Sequence, residues 1–223
     1  MQRRIYRWIA LTVIGAMCFV RVVWLRRDHG RCRLNTALIN ATRSDNAAEV
    51  RRLLALGADA NATGVPVFDE GAWQQLVQFL HGHRVNLPVS AINVAIAGEG
   101  DAPFADRDQL VRLLLDAGAS PDEPDEYGAP PLLRYADSGD ASMVSVFLRH
   151  GANPNARDNI GRTALMLGAR SDKSGRVLET LLKAGARFGD TNAEGRSALD
   201  FAIDARNLSG MRMLLLWSSR TQR

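Results

Sequence analysis

The fold can be read from two phrases in the second half of the chain, TALMLGA at residues 163–169 and LLKAGARFGD at residues 181–190. The first phrase opens on Thr163, whose hydroxyl suits the N-cap of a helix, and continues with small and apolar residues. The second carries a leucine pair and then Gly185, a residue type that ends helices by adopting a positive φ angle. Together the phrases predict a unit of two short helices joined by a turn.

Both phrases recur along the chain at a regular interval. The step from Pro130 to Thr163, and the steps from Gly118 to Gly151 and from Gly151 to Gly185, give a period of about 33 residues. A unit of this size cannot bury an apolar face alone, and repetition at this period predicts a solenoid of stacked units. The first phrase recurs as TALIN (36–40), SAINVA (90–95), PPLLRYA (130–136) and SALDFA (197–202), and the second as LLALGADAN (53–61), LLLDAGASPD (113–122) and FLRHGANPN (147–155).

These phrases closely resemble the ankyrin repeat, whose pattern includes T-P-L-H-x-A followed by a leucine pair and G-A-D. The resemblance covers most of residues 34–217. It implies an all-α fold, an ankyrin-repeat solenoid of helix-turn-helix units joined by short β-hairpin loops. We expect about five units, at 34–62, 88–122, 125–157, 158–191 and 192–217, with an insertion at about 63–87 and a C-terminal tail at 218–223.

Each recurring residue type has a physical role in this scheme. The hydroxyl residues would cap the first helices, the leucine or isoleucine that follows would face the stack, and the glycines would end the second helices. Asp125 with Gly128, and Asp158 with Gly161, would form the hairpin turns. The predicted caps are Thr36, Ser90, Thr163 and Ser197, the stacking residues are Leu38, Ile92, Leu132, Leu165 and Leu199, and the helix-ending glycines are Gly57, Gly118, Gly151 and Gly185.

The net charge of +4 would suit a nucleic-acid-binding protein, but the charge is unevenly distributed along the chain. Residues 1–33 contain eight arginines and one acidic residue. The remaining residues, 34–223, contain 20 basic and 23 acidic residues and so carry a net charge of −3. A mildly acidic body has no net attraction to phosphate, so we expect no nucleic-acid partner.

The N-terminal segment 1–33 predicts a membrane anchor, one transmembrane helix that precedes the solenoid. Residues 8–25 form an apolar run that is interrupted by Arg21. As a helix this run rises about 27 Å, close to the roughly 30 Å of a hydrocarbon core, provided that Arg21 snorkels to the headgroups. Trp8 and Trp24 stand near its two ends, where an interfacial aromatic belt would place them. A cleaved signal peptide and a buried structural helix are the alternative interpretations, although no small-x-small pair follows the apolar run.

Two insertions interrupt the repeat. The first lies between the first and second units, where Gly57 and Ser90 stand much further apart than Gly151 and Thr163 do. Within it, Trp73, Leu76, Val77 and Leu80 have the spacing of one helix face. This predicted helix either completes the solenoid core or supplies a partner-binding face. The second insertion is shorter and lies inside the second unit, around GEGDAPFADRD at 98–108.

The sequence contains no constellation typical of an active site, a cofactor site or a metal centre. It has no G-x-S-x-G, P-loop or G-x-G-x-x-G phrase. His81 with His83, and His29 with Cys32, each lack the further ligands that a metal site needs. We therefore expect no enzyme activity, no cofactor, no metal and no small-molecule substrate. An enzyme with its site in the insertions at 62–108 is the disfavoured alternative.

Proteins of the family that this sequence resembles bind partners through hairpin tips and the exposed side of the first helices, so the resemblance implies a protein partner. Tyr127 and Ile160 are the strongest candidate anchors, because exposed turns seldom carry such residues and an aromatic anchor suits an interface. Packing between adjacent hairpins is the alternative explanation for both. Arg157 and Arg170 could pair with an acidic partner. The candidate residues are Glu126, Tyr127, Arg157, Asn159 and Ile160 at the tips, and Leu133, Asp137, Met166, Arg170, Asp200 and Asp204 on the first helices.

We thus expect a single-pass, membrane-tethered module that scaffolds or inhibits a protein partner. A secreted or periplasmic accessory protein, released after signal cleavage, is the alternative in a different class. Arginine outnumbers lysine by 26 to two, a skew typical of GC-rich genomes. The membrane is therefore expected to be a bacterial inner membrane, with the side that holds the solenoid left open.

Overall fold

A computed structural model of the chain describes residues 32–63, 90–97, 104–125 and 127–221. Within these ranges the chain forms helices and turns, with strand pairing limited to isolated bridges. The helices are α1 (32–43), α2 (Ala47–Ala55), α3 (Ala91–Ala97), α4 (Phe104–Asp116), α5 (Pro131–Ser138), α6 (Ala141–Arg149), α7 (Ala164–Ser171), α8 (Arg176–Lys183), α9 (Ala198–Asp204) and α10 (Leu208–Thr221). Consecutive helices pair into units, from α1 with α2 to α9 with α10.

The units stack with like helices side by side. First helices contact first helices, as α5 contacts α7 and α7 contacts α9, and second helices contact each other in series from α2 to α10. The core lies between the two layers, where the predicted stacking residues are at most 1% exposed except for Leu199, which is partly buried. The predicted all-helical solenoid is confirmed for the described residues.

Most of the predicted helix caps are present. The hydroxyls of Ser90, Thr163 and Ser197 each accept a hydrogen bond, at 3.4 Å, from the backbone N–H three residues later. The prediction for Thr36 is wrong, because this residue lies inside α1 and its hydroxyl donates to the carbonyl of Cys32 at 2.9 Å. A threonine can occupy the interior of a helix when its hydroxyl bonds back to the preceding turn. Helix α1 therefore includes Thr36 and occupies residues where later units place a hairpin.

Glycines end the second helices and isolated bridges close two of the hairpins, as predicted. An antiparallel bridge joins Arg157 to Thr163, and another joins Thr191 to Ser197. The positive φ angles needed to leave the helices are 91° at Gly57, 90° at Gly118, 88° at Gly151 and 91° at Gly185.

A second left-handed position lies inside three of the units, immediately before the N-cap of the second helix. The φ angle is 52° at Asp45, 77° at Gly139 and 52° at Arg206. The cap that follows accepts backbone N–H groups of the new helix, so the left-handed residue lies at the turn between the two helices. The caps are Asn46, Asp140 and Asn207.

Arg206→Gly is therefore expected to raise the free energy of unfolding by about 0.5–1 kcal/mol, measured by urea denaturation, because glycine relieves the left-handed strain. A left-handed conformation costs a non-glycine residue about 1–2 kcal/mol, and glycine avoids this cost. Glycine also loses more conformational entropy on folding, so the net increase in stability is smaller than the strain that is removed. Arg212→Gly, placed inside α10, is the control and is expected to lower stability by about 1 kcal/mol. A loss of stability in both variants would contradict the prediction.

Two helices are longer than the repeat pattern predicts. Helix α4 begins at Phe104, so part of the insertion at 98–108 extends this helix instead of forming a loop. Helix α10 continues to Thr221, so the tail predicted at 218–223 is helical as far as that residue. The repeat pattern does not predict either extension, because it records only the residues that contact neighbouring units.

Three predicted features fall on residues outside the described ranges. They are the membrane anchor with Trp8, Arg21 and Trp24, the helix within the insertion at about 63–87, and the tip residue Glu126. Among the helices that the structure does describe, none has the length and apolar character needed to cross a bilayer.

Candidate functional site

The hairpin tips are held by aspartate side chains in addition to the backbone hydrogen bonds of the turns. Asp125 Oδ1 accepts from the backbone N–H groups of Tyr127 and Ala129, both at 2.9 Å. Asp158 Oδ1 accepts from the corresponding groups of Ile160 and Arg162, at 3.1 and 2.8 Å. An aspartate that bonds its own backbone two residues on fixes the turn, so both tips have a defined conformation.

Adjacent tips are joined by hydrogen bonds to backbone carbonyls. The side-chain amide of Asn159 donates to the carbonyl of Tyr127, and the backbone N–H of Ala193 donates to the carbonyl of Ile160 at 3.1 Å. The side chains of Tyr127 and Ile160 take no part in these bonds and are 71% and 51% exposed. Hairpin packing therefore accounts for Asn159 and for the backbone, but leaves the two apolar side chains in solvent.

Arg157 is held within the chain. Its guanidinium donates to the carbonyls of Gly161 and Thr191, at 3.0 and 2.7 Å, and lies 2.7 Å from Asp190 Oδ2. The side chain thereby joins its own hairpin to the next one. An acidic partner would have to compete with these bonds, so the pairing of Arg157 with such a partner stays a prediction.

Arg170 is also paired, with a residue of the preceding unit. Its Nη2 donates to both carboxylate oxygens of Asp137, at 2.7 and 2.9 Å, and the Ser171 hydroxyl donates to Asp137 Oδ1 at 2.7 Å. These three side chains tie α5 to α7, and the ion pair remains partly exposed. The ion pair is a weak stabilising contact at such exposure.

The prediction that two residues of the first helices are exposed to a partner is wrong. Leu133 and Met166 are each 1% exposed and belong to the core. Helices α5 and α7 have a neighbouring first helix beside them and a second helix behind them, so only a narrow side reaches solvent. On α7 every residue from 164 to 169 is buried, and the exposed positions begin at Arg170.

The remaining two candidates, Asp200 and Asp204, have local structural roles. Asp200 Oδ2 accepts from the hydroxyl and the backbone N–H of Ser197, at 2.6 and 2.7 Å, which completes a capping box. These hydrogen bonds hold the pKa of Asp200 below its ordinary value. Asp204 pairs with Arg196, whose guanidinium also lies 4.7 Å from the centre of the Phe201 ring.

Side-chain amides also join successive units, through an asparagine that recurs in the sequence pattern. Four residues after the helix-ending glycine, Asn61 donates to the carbonyl of Gly118 at 3.0 Å and accepts from Ser120 N at 2.7 Å. Asn155 makes the same pair of bonds to Gly185 and Arg187, at 3.2 and 2.8 Å. The recurring asparagine in GADAN and GANPN was the signal for these bonds between units.

A recess of about 370 Å³ lies at the junctions between first and second helices. Its wall includes Tyr135, whose hydroxyl is 3.5 Å from Asp108 Oδ1. Burial, followed by repulsion from Asp140, raises the pKa of Asp108, and burial followed by repulsion from Asp108 raises that of Tyr135. Arg107 and Arg134 also line the recess, so charges of both signs are interspersed.

No group of three or more potential metal ligands is found in the residues that the structure describes. Cys32 is exposed and forms no disulfide, and His29, His81 and His83 lie outside the described ranges. Among the predicted site residues that the structure describes, Tyr127 and Ile160 are the two exposed apolar side chains.

Comparison with known proteins gives one family and several relatives. The family model described as "Ankyrin repeats (3 copies)" matches residues 102–192, a range that contains both apolar tips. Human cyclin-dependent kinase inhibitor 2A is 35% identical over 115 residues, which cover 48% of this chain and 73% of the relative. Rat cyclin-dependent kinase 4 inhibitor B is 34% identical over 106 residues, covering 48% and 81%. Mouse ankyrin repeat domain-containing protein 63 is 33% identical over 100 residues, covering 43% and 25%.

Proposed function

We propose that this chain, which belongs to the ankyrin-repeat family, binds a protein partner through the tips of its hairpins, with Tyr127 and Ile160 as the anchors. The observation that carries the proposal is the exposure of two large apolar side chains on turns of fixed conformation. Aromatic anchors contribute much of the binding energy at protein interfaces. A fixed turn also lowers the conformational entropy lost on binding.

The neighbouring tips extend the proposed surface beyond its two anchors. The bonds from Asn159 and Ala193 hold three successive tips in one row, so a partner meets them together. The third tip carries Glu194 where the others carry Tyr127 and Ile160, which places an acidic residue at one end of an apolar pair. A partner segment with an apolar centre and a basic end would complement this row.

The chain acts on its partner by occupying it, either as a scaffold or as an inhibitor. Two relatives are named as inhibitors of cyclin-dependent kinases, which supports inhibition by binding as a mode of action within the family. The partner of this chain is proposed only as a protein with a complementary surface. The acidic balance of residues 34–223 favours a protein over a nucleic acid.

We further propose that residues 1–33 tether the solenoid to a membrane, and that this is a bacterial inner membrane. The apolar run between Trp8 and Trp24, the flanking arginines and the preference for arginine over lysine support this proposal. Mass spectrometry of the mature N-terminus tests it against release after signal cleavage. Recovery of residues 1–25 from the membrane-extracted chain is expected. A mature chain that lacks them would favour the secreted accessory protein instead.

The binding proposal is tested by crosslinking and affinity capture from native membranes. The double variant Tyr127→Ala, Ile160→Ser is expected to reduce capture of the partner by about thirtyfold, which corresponds to about 2 kcal/mol of hot-spot energy. Because both side chains lie in solvent, the thermal midpoint should stay close to that of the parent.

Leu56→Ser provides a matched control, since Leu56 is 58% exposed but follows α2, away from the tips. This variant should capture the partner as the parent does. Unchanged capture by the double variant would exclude the hairpin-tip site, and equal losses in both variants would point to nonspecific apolar adhesion.

A further inference from the structure

Helix α10 has an exposed apolar stripe that its counterparts in other described units lack. Leu208, Leu215 and Leu216 are 75%, 55% and 49% exposed, and Arg212 and Ser219 lie on the same side of the helix. Spacings of four, seven, eight and eleven positions from Leu208 place all of them within one face. The opposite face carries Leu214, which is fully buried.

The repeat itself shows that this stripe is unusual. The position of Leu216 is occupied by exposed residues in the other second helices that the structure describes, and most of them are charged. Leu215 aligns with Leu148 and Leu182, which are half-buried and buried against the rest of the solenoid. Repeat packing therefore explains a leucine at 215 but not at 216. The residues that align with Leu216 are Ala55, Asp116, Arg149 and Lys183.

The charged residues of the C-terminal segment that contains the stripe have a single sign. Residues 205–223 contain four arginines and no aspartate or glutamate, whereas residues 34–204 contain 16 lysines and arginines against 23 acidic residues. Of these four, Arg206 and Arg212 have described side chains, and both are exposed. An exposed apolar stripe on a helix whose own charged residues are all basic is typical of a helix that lies on an anionic surface.

We propose that the outer face of α10 docks on an anionic phospholipid surface, with Leu208, Leu215 and Leu216 entering the headgroup region and Arg206 and Arg212 facing lipid phosphates. Leu208 and Leu216 are eight positions apart, about 12 Å along the helix axis, so the stripe can meet a flat surface along its length. The leucines protrude from a convex helix, and protruding residues suit insertion into a deformable surface. An acidic helical peptide would instead need a groove.

A second copy of the chain is a poor occupant on the same observations. A twofold contact through this face would place Arg212 of each copy near that of the other, without an acidic residue from α10 to separate them. Like charges directly opposed across an interface are unfavourable. The proposal is independent of the hairpin-tip site, because it concerns a different helix and a different kind of partner.

The test uses the full chain with an environment-sensitive fluorophore at a single engineered cysteine. Leu216→Cys is made in a background of Cys18→Ser and Cys32→Ser, and the labelled chain is mixed with vesicles of phosphatidylcholine and phosphatidylglycerol. Lys183→Cys is the matched control, since it occupies the equivalent exposed position of the preceding unit. A blue shift and protection from an aqueous quencher are expected at 216 and not at 183.

Two further arms make the test decisive. Arg212→Ser should lower the ratio of docked to free label by about fivefold, the equivalent of the roughly 1 kcal/mol that one arginine contributes near an anionic membrane. Vesicles of phosphatidylcholine alone should give a weaker response. The label reports the environment of residue 216 alone, so insertion of residues 1–33 without docking of α10 would give no blue shift at this position.

Three results would overturn the proposal. The first is an equal response at 216 and 183, and the second is no response to anionic vesicles. The third is shielding of the label at 216 without lipid, either with rising protein concentration, which indicates a second copy, or on addition of polyglutamate, which indicates an acidic polypeptide.

Discussion

The substitution Phe147→Ala is expected to lower the free energy of unfolding by about 3–5 kcal/mol relative to the parent chain. Phe147 is fully buried, and its ring centre lies 5.2 Å from that of Tyr135 on the neighbouring first helix. Its helix, α6, contacts the second helices on both sides, α4 and α8. Removal of the ring leaves a cavity where three units meet, and the close-packed neighbours can fill it only in part.

Urea denaturation followed by circular dichroism measures this change. Leu148→Ala is the control, because Leu148 is the next residue of the same helix and is only half-buried. It should cost less than half as much as Phe147→Ala. A loss below about 1 kcal/mol for Phe147→Ala would show that the core does not pass through α6 as described.

The second large effect is expected from Asn207→Ala, with a loss of about 3 kcal/mol from a missing cap and two missing bonds between units. The Asn207 amide donates to the carbonyls of Ala169 and Asp172, at 2.9 and 2.8 Å, and its Oδ1 accepts from Gly210 N at 3.0 Å. One side chain thus caps α10 and joins it to the preceding unit. Alanine removes a cap worth about 1 kcal/mol and leaves two carbonyls without this donor, at about 1–3 kcal/mol each when buried.

Asn207→Ser separates the two contributions. Serine retains the capping oxygen but is too short to reach the carbonyls of the preceding unit, so an intermediate loss is expected. Ser209→Ala, at an exposed position two residues further along α10, should change stability by less than about 0.5 kcal/mol. If Asn207→Ala behaved like Ser209→Ala, the contact between the units would not contribute to stability.

Much of the fold could be predicted from the sequence, because its elements depend on residues close together along the chain. The caps at Ser90, Thr163 and Ser197 bond to groups three residues away, and the glycine turns depend on one φ angle each. The hairpin turns at Asp125 and Asp158 are equally local. Thr36 is the exception, since the same hydroxyl can serve as a cap or bond back within a helix, and the sequence does not distinguish these outcomes.

The candidate site was predicted less completely. Exposure of Tyr127 and Ile160 followed from their place at the tips, and the structure agrees. Burial of Leu133 and Met166 did not follow, because helical spacing gives the direction of a side chain but not how many neighbouring helices surround it. The sequence does not predict the internal pairing of Arg157 and Arg170 either, because their partners belong to other units.

The sequence by itself determined the repeat unit, its two helices, its caps and its turns, because these are encoded by residue types within a few positions of one another. Only the tertiary structure decided which side chains remain available to a partner. The bond from Arg170 to Asp137 joins residues 33 positions apart, and the stripe on α10 is exposed because no described helix covers it. Availability depends on distances between units, and these distances are set by stacking of the whole solenoid.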